Sequence, residues 1–264
     1  MYPNAPVVLV ALEVRHPPAD PLTTAERNLI KRRLTRDLPI MRTGRIQQVT
    51  LLQAAGGLPS ITEEQTPEFP RYFSRDNTMA VSVRNDAVVI ETTKYVRWER
   101  VRAILADILD VRQEIGGVDG VERIGLRYID EIRVPNDNAA GWEPWVHPTL
   151  LGPAPLGEEM GLTAREWEAV TVFTPGPDRT LVLRYGPREG FAVNPGGDLK
   201  RPTPSPGPFF LLDIDSFWMA AEGTPEFDPK MVLETSDELH APVRALFERL
   251  ITERLREEVF RRGE

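Results

Sequence analysis

The stretch TMAVSVRNDAVVIETTKYV, residues 78–96, constrains the fold more tightly than any other in the chain. Apolar residues alternate on either side of Arg84-Asn85-Asp86, and Asn and Asp accept the positive φ that a tight turn demands. Two strands joined so closely can only pair antiparallel. The neighbouring segments extend this pattern: APVVLVALEVRH (5–16), RIQQVTLLQ (45–53) and RIGLRYIDEIRVP (123–135) read as strands, and so do EWEAVTVFTP (166–175), RTLVLRYGP (179–187) and FFLLDIDSFWMA (209–220). AAGGLPSITEEQTPEFPRYF (54–73) has little periodicity and many breakers, and is expected to be a long loop.

Three segments carry helical spacing instead. LTTAERNLIKRRLTRDLP (22–39) opens on a capping box, Thr23 with Glu26, and sets Ala25, Leu29, Ile30, Leu34 and Leu38 on one stripe. RWERVRAILADILDVRQEIGG (97–117) aligns Trp98, Val101, Leu105, Ile108, Val111 and Ile115, and ends on Gly116-Gly117. The last helix aligns Val243, Leu246, Phe247, Leu250, Ile251, Leu255 and Val259. Thr235 with Glu238 resembles a capping box there, but Pro242 removes a backbone donor, so the regular helix is expected from about residue 241.

The predicted order is β-α-β-β-β-α-β, a connector, then β-β-β-α. This is an α+β fold, with a largely antiparallel curved sheet, helices packed on one face and a long C-terminal helix. Residues 1–135 and 165–264 read as two similar lobes around a Pro/Trp-rich connector, 136–164, with one continuous domain as the alternative. The tripeptide Leu-Arg-Tyr recurs at 126–128 and 183–185, too short a match to carry a duplication.

Composition narrows the chemistry. With no cysteine in 264 residues there is no thiol nucleophile, no Cys-ligated zinc and no disulfide framework. The formal net charge of -8 disfavours non-specific nucleic-acid binding. The basic run at Lys31, Arg32, Arg33 and Arg36 lacks interleaved aromatics and reads as a solvated helix face. The three histidines, His16, His147 and His240, have neither metal-ligand spacing nor a hydrolase motif around them. No phosphate loop or dinucleotide fingerprint is present. The apolar run at 7–12 lacks a basic leader and soon meets Glu13 and Arg15, so a cytoplasmic protein without a membrane partner is expected.

The sharpest candidate site is Asp213 with Asp215. Strand period two puts both carboxylates on one face, where they could share a divalent cation with a third ligand such as Glu91 or Asp130. The plainer reading is a solvated face, or one paired with arginines of a neighbouring strand. On the 123–135 strand, alternation groups Ile124, Leu126, Tyr128, Asp130 and Ile132 against Arg123, Gly125, Arg127, Ile129, Glu131 and Arg133. Arg127, beside a glycine that lets a ligand approach, could clamp a carboxylate or phosphate, or pair with Asp213 or Asp215. Tyr128 needs a hydroxyl partner, and Asp130 is a carboxylate on the apolar side. Trp142 and Trp145 could line a pocket or a partner surface, or close the core.

The segments YPNAPVVLVALEVR, RIGLRYIDEI, LLDIDSF and LHAPVRALFERLITERLREEVF together resemble a sporadically distributed bacterial family of about this length. That resemblance implies an accessory gene that moves between genomes, and it carries over no catalytic residue. The expected function is therefore a non-enzymatic binding or interaction protein of an accessory, defence-related gene cassette, with Arg127, Tyr128, Trp142 and Trp145 as binding residues for a protein partner or small ligand. No cofactor is expected on this reading. The alternative is a metal-dependent hydrolase or transferase in which Asp213 and Asp215 hold a divalent cation. Exposed sheet edges call for cover, and either a homodimer or guarding charges such as Arg179 and Arg184 would supply it.

Overall fold

A computed structural model describes residues 2–45, 47–52, 60–65, 68–135, 141–164 and 166–262. In the first part β1 (Val7–Arg15) leads to α1 (Thr24–Leu34) and β2 (Ile40–Gly44), and a separate hairpin follows from β3 (Gln47–Leu52) and β4 (Ser60–Gln65). The meander β5 (Phe69–Phe73), β6 (Met79–Val83) and β7 (Ala87–Thr92) then gives way to α2 (Trp98–Glu114). The second part begins at β8 (Arg123–Ile132) and passes a short helix, α3 (Ala154–Glu159). A second meander, β9 (Ala169–Gly176), β10 (Arg179–Gly190) and β11 (Gly207–Met219), ends in α4 (Pro229–Leu250).

Nine of these strands form one open antiparallel sheet, in the order β2-β5-β6-β7-β1-β8-β11-β10-β9. The pairing has an internal two-fold logic. In each half a lone strand, β1 or β8, is followed by helical structure, a three-strand meander and a long helix. The last meander strand, β7 or β11, docks on that lone strand. The halves meet where β1 pairs with β8, with Leu12 opposite Leu126. The two expected lobes thus share one sheet. The copies of Leu-Arg-Tyr fall on β8 and β10, which are not equivalent strands under this repeat.

One face of the sheet carries the core. Val10, Leu12 and Val14 of β1, Leu126 and Ile132 of β8, and Leu212 and Ile214 of β11 are buried with Leu105, Ile108 and Leu109 of α2 and Leu239 and Val243 of α4. Burying each of these side chains contributes roughly 1.5–3 kcal/mol, enough in sum to fix which face takes the helices. No described helix is long and apolar enough to cross a membrane.

Three sequence expectations need correction. The stretch 54–73 contains β4 and β5, while its residues 54–59 and 66–67 lie outside the described ones. β5 hides from periodicity because Phe69, Pro70, Tyr72 and Phe73 are all buried on a strand covered from both sides. Its ladder to β6 engages only Arg71–Phe73, so Pro70 stands where a missing N–H leaves that ladder intact. α4 starts at Pro229, capped by Asp228, whose side chain accepts from the Lys230 amide at 2.9 Å. Thr235 is therefore mid-helix and buried, and the stripe Val232, Ser236, Leu239 and Val243 holds the turns on both sides of Pro242. The helix also stops early, because Ile251 turns extended to bridge Val146, and Thr252 caps a fresh turn over Glu253–Leu255.

Candidate functional site

β8 distributes its side chains between two unlike environments. Toward the helices, the Tyr128 hydroxyl lies 3.1 Å from His240 Nδ1 of α4 and donates to Tyr95 at 3.3 Å. His240 stacks on Trp98 at 4.8 Å, and the Trp98 indole N–H donates to Asp237, which also receives Arg102. Burial, and then the Arg244 charge, lower the His240 pKa, and burial raises that of Tyr128. This chain of contacts rivets α2 and α4 to the sheet. Asp130, on the same side, is buried, and desolvation followed by the Asp213 charge pushes its carboxyl up to about 8.

No described helix lies over the opposite face, and strand register orders its side chains into rows. One row runs Val170, Arg184, Asp213, Ile129, Leu9, and the next runs Val172, Val182, Asp215, Arg127, Ala11. Asp213 and Asp215 share this face, as period two requires. Arg127 stands opposite Asp215 in register but slants to Asp213, donating from Nε to Oδ1 and from Nη2 to Oδ2, both at 2.7 Å. Arg184 approaches the same carboxylate at 3.5 Å. The Asp213 side chain is only 5% exposed, against 46% for Arg127. Hydrogen bonding to Asp213 raises the Arg127 pKa. Burial raises that of Asp215 against the pull of Arg123 and Arg127.

The space above Gly125 is taken up by Arg123: a Cβ there would overlap its guanidinium, which lies across the Phe217 ring at 4.7 Å and reaches Glu13 at 3.2 Å. The glycine lets an arginine lie flat on the sheet.

Residues 191–206, between β10 and β11, form a strap over the end of this face. Glu131, its side chain 1% exposed, holds the strap. One carboxylate oxygen receives the Ala192 amide at 2.9 Å and Arg201 at 3.4 Å, and the other receives Arg133 at 2.8 Å. Arg201 is itself 2% exposed and also donates to the Val193 carbonyl. Further along, the Lys200 amide donates to the Asn77 carbonyl, the Thr93 hydroxyl to the Lys200 carbonyl, and Arg71 to Asp198. Leu199 packs on Phe73 and Ala80. Between strap and sheet remains a cleft of about 120 Å³, with Arg71, Glu91, Thr93, Asn194, Asp198 and Arg201 on its walls.

The sequence-predicted residues thus separate. Arg127 joins Asp213 on the open face, and Tyr128 faces the helices. Trp142 packs edge-on to Phe210, and Trp145 is buried beneath Arg254, so both close the core. Glu91 pairs with Arg71 at 2.8 Å and stands three strands from Asp215, roughly 14 Å at the usual strand spacing, while Asp130 points to the other face. Among the described residues no group of three or more His, Asp or Glu gathers as a metal would require. Glu131, Arg201 and Arg71 were not singled out as a site by the sequence. Their one signal is a Lys-Arg pair, Lys200-Arg201, within an otherwise breaker-rich loop. No protein-family model matches the chain, and no curated protein matches it.

Proposed function

We propose that the chain is a non-enzymatic binding protein, working in the cytoplasm as part of a bacterial accessory gene cassette devoted to defence, and that it receives a small polar ligand in the cleft beneath the strap. The strap itself carries this reading. A long connection is pinned by a buried acid–arginine cluster over the face that no described helix covers, and long ordered loops of this kind are mostly functional. The cleft volume corresponds to about four waters, well below the roughly 300–1,000 Å³ of a pocket that swallows a whole ligand. It suits a head group. Its walls carry both signs, Arg71 against Glu91 and Asp198, so a group with an ammonium beside a carboxylate, as in a free amino acid, matches both.

Native mass spectrometry of the purified protein, with a thermal-shift panel of amino acids and dipeptides, tests this. The expected result is a retained small mass, or a stabilising shift that Glu91→Gln removes. Neither a retained mass nor any shift would sink the reading.

The competing reading, metal-dependent chemistry at Asp213 and Asp215, finds no support in the geometry. A divalent cation on Asp213 would have to displace the two-pronged Arg127 and sit beside Arg184. Calorimetric titration with Mg²⁺ and Mn²⁺ is expected to show no binding at millimolar concentration. Binding that disappears in Asp213→Ala/Asp215→Ala would revive the idea.

A further inference from the structure

The two halves treat their outer edges differently. In the first half the meander edge, β5, is covered by β2, which carries Arg42 and is followed by Arg45 paired to Glu68. The equivalent strand of the second half, β9, has nothing beyond it among the described residues. The expected guards, Arg179 and Arg184, lie on β10, one strand inside the edge. β9 reads AVTVFTPG, with no charged residue. Its Val170, Val172 and Phe173 are 55%, 63% and 41% exposed. With Leu156, Met160 and Leu162 they make six of the nine large apolar side chains that stand exposed among the described residues, all within residues 156–173. An edge with free main-chain donors, apolar side chains and no charge is the kind that natural sheets normally block.

The register of β9 indicates what covers it. A two-fold pairing of β9 with itself, centred on Thr171, sets Val170 against the partner copy's Val172, Ala169 against its Phe173, and Thr171 against its Thr171. Val170 and Val172 both stand on the helix-free face, opposite Arg184 and Val182, so they meet as two β-branched pairs on one side. Thr171 and Phe173, opposite Leu183 and Leu181, lie on the helix side. Any charge on a self-paired strand would approach its own copy, and β9 has none. For a chain of net charge -8, an uncharged strip is also where two copies meet with least repulsion. Pro175 and the register shift at Arg179/Leu181 end the usable edge just past Phe173, which leaves the five residues this pairing uses.

We infer that two copies of the chain pair antiparallel through β9, joining their nine-stranded sheets into one.

Light scattering coupled to size exclusion, with sedimentation equilibrium on the full chain, reads the outcome. The expected mass is twice the 29.8 kDa chain. Val172→Lys, at an exposed position that leaves the core untouched, should weaken self-association on the order of 100-fold because the two-fold repeats the change at both contacts. Met41→Lys on the β2 edge should leave it intact. In a chain without cysteine, Thr171→Cys should give a dimer captured by oxidation or a short bifunctional thiol reagent. A protein that stays monomeric at high micromolar concentration overturns the inference and leaves β9 to a strand of another protein. A dimer indifferent to Val172→Lys, or one that Thr171→Cys does not capture, overturns it equally.

Discussion

Asp130 and Glu131 are neighbours on β8, both acidic and both almost fully buried, yet the sheet gives them opposite circumstances. Glu131, beneath the strap, meets two guanidinium groups and a backbone amide. Asp130, among the helices, is shifted by desolvation and by the like charge of Asp213, with no hydrogen bond from a described residue to offset either. A buried acid is stabilising where the fold supplies cations and donors, and costly where it supplies only packing. The strap face tolerates charge because side chains from different strands can reach across it. On the helix face the polar side chains pair with one another, Tyr128 with Tyr95 and His240, and Trp98 and Arg102 with Asp237, and none of them bonds Asp130.

The largest test of that contrast is pH. The Asp130 carboxyl titrates near 8 in the fold against 3.8 for the ordinary group, so between those values the native state holds a proton that the unfolded chain has released. The contribution of Asp130 to stability is therefore fully present below about pH 4, falls as pH rises, and levels off above about 8, a span of roughly 6 kcal/mol. Asp130→Asn should flatten this slope and raise stability at pH 8, measured by urea unfolding from pH 5 to 8. His16 and His240, whose pKa values are lowered, tilt the curve the other way near pH 6, but they do so in both proteins and cancel in the difference. Equal slopes with and without the carboxylate would remove the distinction between the two faces.

Next in size is Glu131→Ala. It leaves the Arg201 guanidinium buried without its acid, an effect of about 3–5 kcal/mol. It should also free the strap, seen as faster proteolysis and hydrogen exchange across residues 191–206. Adjacent acidic residues would then respond with opposite signs at pH 8, destabilised at 131 and stabilised at 130. Movement in the same direction at both would show that burial alone governs them.

Alternation made much of this face division legible beforehand. It separated Asp130 and Tyr128 from Arg127 and Glu131, and it placed Asp213 and Asp215 together on one face. The Thr23–Glu26 capping box fixed the start of α1 because both partners lie within one turn. What stayed hidden depends on distant chain. Glu131 and Arg201 are seventy residues apart, and nothing local to either announces the other. β5 lost its alternation because it is buried on both sides. The α4 start at Asp228-Pro229 was overshadowed by Thr235–Glu238, an equally good local cap that the buried stripe overrides. Two similar lobes were expected, but the one sequence match between them, Leu-Arg-Tyr, falls on strands that are not equivalent, so it is the strand pairing that reveals the internal two-fold.

The smallest expected effect tests whether the open face holds its charges as firmly away from the strap as beneath it. Arg127 and Asp213 bond through two prongs, but the arginine is nearly half exposed, and Arg184 stands ready on the other side of the acid. Arg127→Met should therefore cost only about 1 kcal/mol, because Arg184 continues to neutralise Asp213 and the methionine keeps the stem packed on the sheet. A double-mutant cycle with Asp213→Asn should return a coupling of about that size that shrinks in high salt. A coupling several times larger and insensitive to salt would mean that the middle of the open face is as dry as the Glu131 cluster. The strap would then be only one part of a sealed layer, and the ligand would have to be sought elsewhere on the molecule.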